Sequence, residues 1–132
     1  MKSKTSWLSP EETANLYDAG FQDPITQSFV AVALALSEDD CCLDNLPQST
    51  KSAAISDCAQ FLNENRISIG DRLAEAGGDF LLTRNGHGAG FFDGDWANGD
   101  QLTEAANRYG EFDLYRGDDG LVYAFGREEA RQ

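Results

Sequence analysis

Asp79-Phe-Leu-Leu-Thr-Arg-Asn-Gly-His-Gly-Ala-Gly-Phe-Phe-Asp-Gly-Asp95 is the most distinctive stretch of the chain. Two apolar runs, Phe80–Leu82 and Phe91–Phe92, flank a loop that holds Asn85-Gly86, the only histidine (His87), Gly88 and Gly90. Asn-Gly suits the positive φ angles of a tight hairpin turn, so the pattern predicts two antiparallel strands folded over that loop.

Downstream, Gly99-Asp100 opens a helix with Leu102, Ala105, Ala106 and Tyr109 on one side, closed by Gly110. From Glu111 to Arg116 the chain alternates, with Phe112 and Leu114 facing one way and Asp113 and Tyr115 the other. Gly117-Asp118-Asp119-Gly120 is a tight turn, and Leu121–Phe125 returns as a strand. Residues 126–132 form a charged tail. This half therefore reads as hairpin–helix–hairpin, enough for a four-stranded antiparallel sheet.

Upstream the pattern is helical. Ser9-Pro10-Glu11-Glu12 is a helix start, with a hydroxyl cap, proline at the first position and acids where the dipole favours them. Gly20 stops that helix. Asp23-Pro24 starts a second one, running to about Ser37 with Phe29, Val32, Ala33 and Leu36 on one face. Val30–Leu36 also fits a buried strand, but its alanines favour helix. After the acidic connection 38–44, a third helix runs from Pro47 or Ser49 to about Asn65. Its stripe is Ile55, Cys58, Ala59 and Leu62, with Cys58 as core filler. A further helical turn through Leu73 ends at Gly77-Gly78. The expected fold is one α+β domain over residues 1–132, with the helices of 1–78 covering a face of the sheet in 79–125.

Composition narrows the function. A chain of 132 residues with 41% apolar residues and 14 aromatics supports a single packed core. The formal net charge is −13. The acid is spread evenly: residues 1–77 carry 12 acidic and 5 basic side chains, and residues 78–132 carry 11 and 5. Such a field repels phosphate backbones and anionic membranes and attracts basic surfaces, including those that ordinarily hold nucleic acid. Cys41, Cys42 and Cys58 are odd in number and form no Cys-x-x-Cys pair, which excludes a disulfide scaffold or zinc knuckle and fits a reducing cytoplasm. No signal peptide is visible, and the longest apolar run, Phe29–Leu36, is far below the ~20 residues of a membrane span.

No constellation makes a convincing active site, so the chain is expected not to be an enzyme. Gly86, Gly88 and Gly90 with Arg84 resemble a phosphate-cradling loop, but no helix or lysine follows. His87 beside Asp93 and Asp95 has the groups of a metal or acid–base site, yet a single histidine without thiols is a poor zinc set. Asp93-Gly-Asp95 with Glu104 imitates a calcium loop but has Ala97 and Asn98 where a ligand and a glycine are required. Neither metal nor cofactor is expected.

Phe80-Leu-Leu-Thr-Arg-Asn-Gly-His-Gly-Ala-Gly-Phe-Phe-Asp93, Gly99-Asp-Gln-Leu-Thr-Glu-Ala-Ala-Asn-Arg-Tyr-Gly110 and Asp113-Leu-Tyr-Arg-Gly-Asp-Asp-Gly-Leu-Val-Tyr123 resemble a family of small proteins encoded by tailed phages and mobile elements. The resemblance is close over residues 79–123 and weaker upstream, at Asp23-Pro24-Ile25 and Asp57-Cys58-Ala59-Gln60-Phe61. Leu81 and Phe92 stand where that family commonly has tryptophan. The resemblance implies an accessory phage protein made in the host bacterial cytoplasm; it carries no activity with it. Together with the charge, it leads to the expectation of a small acidic protein that binds and modulates a basic host protein, such as a defence or nucleic-acid-handling factor, in the manner of a DNA mimic. The expected contact residues are Arg84, Asn85, His87, Asp93, Asp95, Asp113, Asp118 and Asp119. The alternative expectation is a nucleotide, small-molecule or metal site, in a sequestering protein or small hydrolase, built on the glycine-rich hairpin and His87. No oligomeric state follows from the sequence.

Overall fold

Residues Leu73–Arg84 form a helix, and that replaces the first of the two expected hairpins. The computed structural model describes residues 8–37, 41–86, 90–93 and 96–125. Within them the order is α1 (Pro10–Asp18), α2 (Pro24–Leu36), α3 (Gln48–Glu64), α4 (Arg66–Ile69), α5 (Leu73–Arg84), α6 (Gly99–Asn107), β1 (Asp113–Arg116) and β2 (Val122–Phe125). Short 3₁₀ turns occupy Leu43–Asn45 and Phe91–Asp93. His87, Asp95 and residues 1–7, 38–40 and 126–132 lie outside the described residues.

The four-stranded sheet is thus corrected to a single antiparallel pair among the described residues, β1 with β2. Phe80–Leu82 lies inside α5, and Phe91–Phe92 lies in a 3₁₀ turn. The physical reason is close contact between helices. Gly77 sits inside α5, and a Cβ placed on it would stand 2.0 Å from the carbonyl oxygen of Ile25 in α2. Glycine costs a helix interior roughly 1 kcal/mol relative to alanine, but here it lets two backbones touch. The Ser28 hydroxyl donates to the Ala74 carbonyl across the same contact. Asn85-Gly86 does provide a positive φ (+66° at Gly86), but it serves to end α5 rather than to reverse a strand.

Helices α1 and α2 start where Ser9-Pro10 and Asp23-Pro24 predict, with a side-chain cap bond on α1 only. Ser9 and Glu12 form a reciprocal capping box on α1, and Gly20 adopts φ +113° just beyond its end. Over Val30–Leu36 the chain is helical. In α3 the buried face is rotated from the expected stripe. Ala54, Asp57, Cys58 and Phe61 point inward, whereas Ile55 and Ala59 are exposed. The shift arises because a charged residue, Asp57, belongs to the interior.

One core joins the whole. Phe61 and Phe80 stack with centroids 4.0 Å apart, Phe29 meets Phe80 at 5.3 Å, and Phe112 meets Phe29 at 4.9 Å. Each ring is fully or almost fully buried, so the four contribute a large share of the hydrophobic driving force. The hairpin caps this core with Leu114, Val122 and Ala124, and Thr50 of α3 donates its hydroxyl to the Val122 carbonyl.

Candidate functional site

The polar residues of the 72–85 stretch bind the chain to itself. At its C-terminal end, Arg84 lies in an aromatic box of Phe29, Phe80, Tyr109 and Phe112, its guanidinium carbon 5.1–5.6 Å from the four ring centroids. It donates to Asp57 at 3.0 Å, to the Gly110 carbonyl at 2.6 Å and to the Tyr109 carbonyl at 3.2 Å. The Arg84 side chain is 0% exposed and that of Asp57 6%. A charge taken so far from water requires this many partners. Asn85 follows and grips Phe112 with both ends of its amide. Its Nδ2 donates to the Phe112 carbonyl at 3.2 Å, and its Oδ1 accepts from the Phe112 N–H at 2.7 Å.

Toward the start of α5, Asp79 accepts from the Trp96 indole N–H at 2.8 Å, and Arg72, paired with Glu75, lies 3.8 Å over the Trp96 ring. Thr83 accepts from the Phe91 N–H. A Cβ on Gly90 would come 2.2 Å from the Thr83 hydroxyl, so that glycine answers a packing need. Asp79, Thr83, Arg84 and Asn85 are therefore fasteners for Phe91, Trp96 and residues 109–112.

Arg84 and Asn85, expected on a loop surface, are instead interior and half-buried fasteners; the reason is that they end a packed helix rather than tip a hairpin. Asp93 is exposed beside Phe92, which is 55% exposed, on a turn packed against α5 and α6. Asp113, Asp118 and Asp119 are exposed together on the β1–β2 hairpin, which packs on α2 and α3. His87 and Asp95 fall outside the described residues. Cys58 is fully buried, and burial pushes its thiol well above the usual range, which fits its place in the core.

The hairpin presents a surface of distinct character. Its register pairs Leu114 with Ala124 on the inner face, and Tyr115 with Tyr123 and Asp113 with Phe125 on the outer face. Tyr115 and Phe125 are 37% and 46% exposed, and Leu121, in the loop, is 37% exposed. The rings of Tyr115 and Tyr123 lie 6.0 Å apart. Asp119 accepts from the Tyr123 hydroxyl at 2.5 Å and from the Leu121 N–H at 3.0 Å. These two donors, the hydroxyl first, hold the Asp119 carboxyl below the usual carboxylate range and keep it charged. Gly117 makes room for the arrangement, since a Cβ there would meet the Tyr123 ring at 2.9 Å. The outward position of Tyr115 is legible from strand alternation. The partnership of Asp119 with Tyr123 is not, because it depends on the turn geometry.

Among the described residues no group of three or more His, Cys, Asp or Glu side chains could hold a metal ion. No described helix is long and apolar enough to cross a membrane. No family model, curated protein or solved structure matches the chain.

Proposed function

We propose that this chain is a small acidic binding protein that engages and modulates a basic, nucleic-acid-handling protein of a bacterial host, competing with nucleic acid for the partner's surface. The carrying observation is the sign of its exterior. Among the described residues 14 acidic side chains are exposed, against three basic ones, Arg66, Arg108 and Arg116. Arg84, which would have offset that field at the surface, is buried against Asp57. Such a shell attracts a cationic protein over about a Debye length, roughly 8 Å at physiological salt, and speeds encounter more than it adds affinity. The resemblance of residues 79–123 to phage and mobile-element proteins supports a bacterial host as the source of the partner. The alternative of a ligand held by the glycine-rich stretch is weakened, since Arg84, Asn85 and Gly90 serve internal contacts.

The test is capture of host proteins on the immobilised chain at low and high salt, followed by elution with duplex DNA. The expected result is one basic nucleic-acid-binding protein, lost at high salt and displaced by DNA. A captured protein that DNA does not displace would refute competition for the nucleic-acid surface.

A further inference from the structure

We propose that the outer face of the β1–β2 hairpin is the docking surface for an arginine-bearing extended segment of that partner, with the guanidinium over the Tyr115–Tyr123 pair. The inference rests on the reading above and narrows it to one face and one side-chain chemistry.

The face is aromatic in the middle and anionic at its ends. Tyr115 and Tyr123 are cross-strand partners with rings 6.0 Å apart. Asp113 lies two residues along β1 on the same face, and Asp119 sits at the turn, fixed by the Tyr123 hydroxyl. Leu121 and Phe125 add exposed apolar area beside them. A ligand that complements this pattern has a cation with an apolar stem. Arginine fits better than lysine, because a planar guanidinium stacks on a ring while its fork reaches a carboxylate. A second copy of the chain fits worse, because each copy carries a net charge of −13. An extended segment fits a two-stranded face better than a helix does, since its alternate side chains fall at strand spacing.

The experiment is a titration of the full chain with a short blocked peptide alternating arginine and glycine, and with its lysine counterpart, followed by amide NMR and calorimetry. The expected outcome is movement of the Tyr115 and Leu121 amide signals and tighter binding of the arginine peptide. Tyr115→Thr weakens that binding about fivefold and Asp113→Asn about twofold, while Glu104→Gln on α6 leaves it unchanged. Phe125→Thr replaces Tyr115→Thr if thermal unfolding shows the latter to be unfolded. Equal loss from Tyr115→Thr and Glu104→Gln would overturn the face assignment while leaving the basic-partner reading standing. No binding of either peptide at low salt, by a chain that still captures a basic host protein, would overturn the face assignment alone, whereas loss of that capture as well would overturn both readings. Binding that appears only after deletion of residues 126–132 would assign the face to the chain's own Arg127 and Arg131, and so would overturn the proposal.

Discussion

Arg84 of α5 and Asp57 of α3 meet at 3.0 Å in the interior, both side chains almost wholly removed from water. The pair ties two helices together, and the two further donations of Arg84 to the carbonyls of Tyr109 and Gly110 tie both to the segment entering β1. Breaking such a pair from one side leaves a buried charge uncompensated. Arg84→Met is expected to cost about 3–5 kcal/mol in denaturant unfolding, and the double variant Arg84→Met/Asp57→Leu to recover part of that loss. A single-variant loss below about 1 kcal/mol would show that the pair does not hold the helices.

Two adjacent glycines in α5 should respond in opposite directions. Gly77→Ala drives a Cβ into the Ile25 carbonyl and forces α2 and α5 apart, with an expected cost of about 1–3 kcal/mol or more. Gly78→Ala meets only the Val32 side chain at 3.5 Å, an ordinary contact, and gains helix propensity of up to about 1 kcal/mol. Thermal unfolding of the two variants side by side reads the contrast directly.

Asn85 both donates to and accepts from Phe112, which an aspartate cannot do. Asn85→Asp is expected to destabilise by about 1–2 kcal/mol through the lost donor. Hydrogen exchange at the Phe112 amide should quicken more in Asn85→Ala than in Asn85→Asp, since only alanine removes its acceptor.

These glycines and Asn85 also show where the sequence is a clear guide and where it is not. Local rules govern α1, α6 and the 113–125 hairpin. Ser9 and Glu12 cap each other, Leu102, Ala105 and Ala106 recur on one side, and Gly117–Gly120 turns the chain, so each is legible within a few residues. Tertiary contact governs α5. Gly77-Gly78 reads as a helix stop until Ile25 is known to lie against it, and Asn85-Gly86 meets the same positive-φ requirement at a helix end as at a hairpin. The inward turn of α3 was hidden for a related reason: Asp57 counts as polar in any stripe until Arg84 is placed beside it. The candidate surface divides similarly. The exposure of Asp113, Asp118 and Asp119 follows from turn and strand patterning, while the burial of Arg84 does not.

The Asp119 carboxylate should titrate low. Its folded-state pKa is depressed by the Tyr123 hydroxyl and the Leu121 N–H, so the support it gives the turn is present above the ordinary carboxylate value and is lost as pH falls through the depressed one. The Leu121 amide signal is expected to titrate below the ordinary aspartate range, and Tyr123→Phe to move that midpoint upward. An unchanged midpoint in Tyr123→Phe would mean that the hydroxyl does not hold the carboxylate.

The most direct test of the binding account is capture of the host partner by the triple variant Asp113→Asn/Asp118→Asn/Asp119→Asn at low salt, with its fold checked by circular dichroism. The account predicts a folded protein whose capture falls by about tenfold and whose salt dependence weakens. Undiminished, equally salt-sensitive capture by the folded triple variant would contradict it.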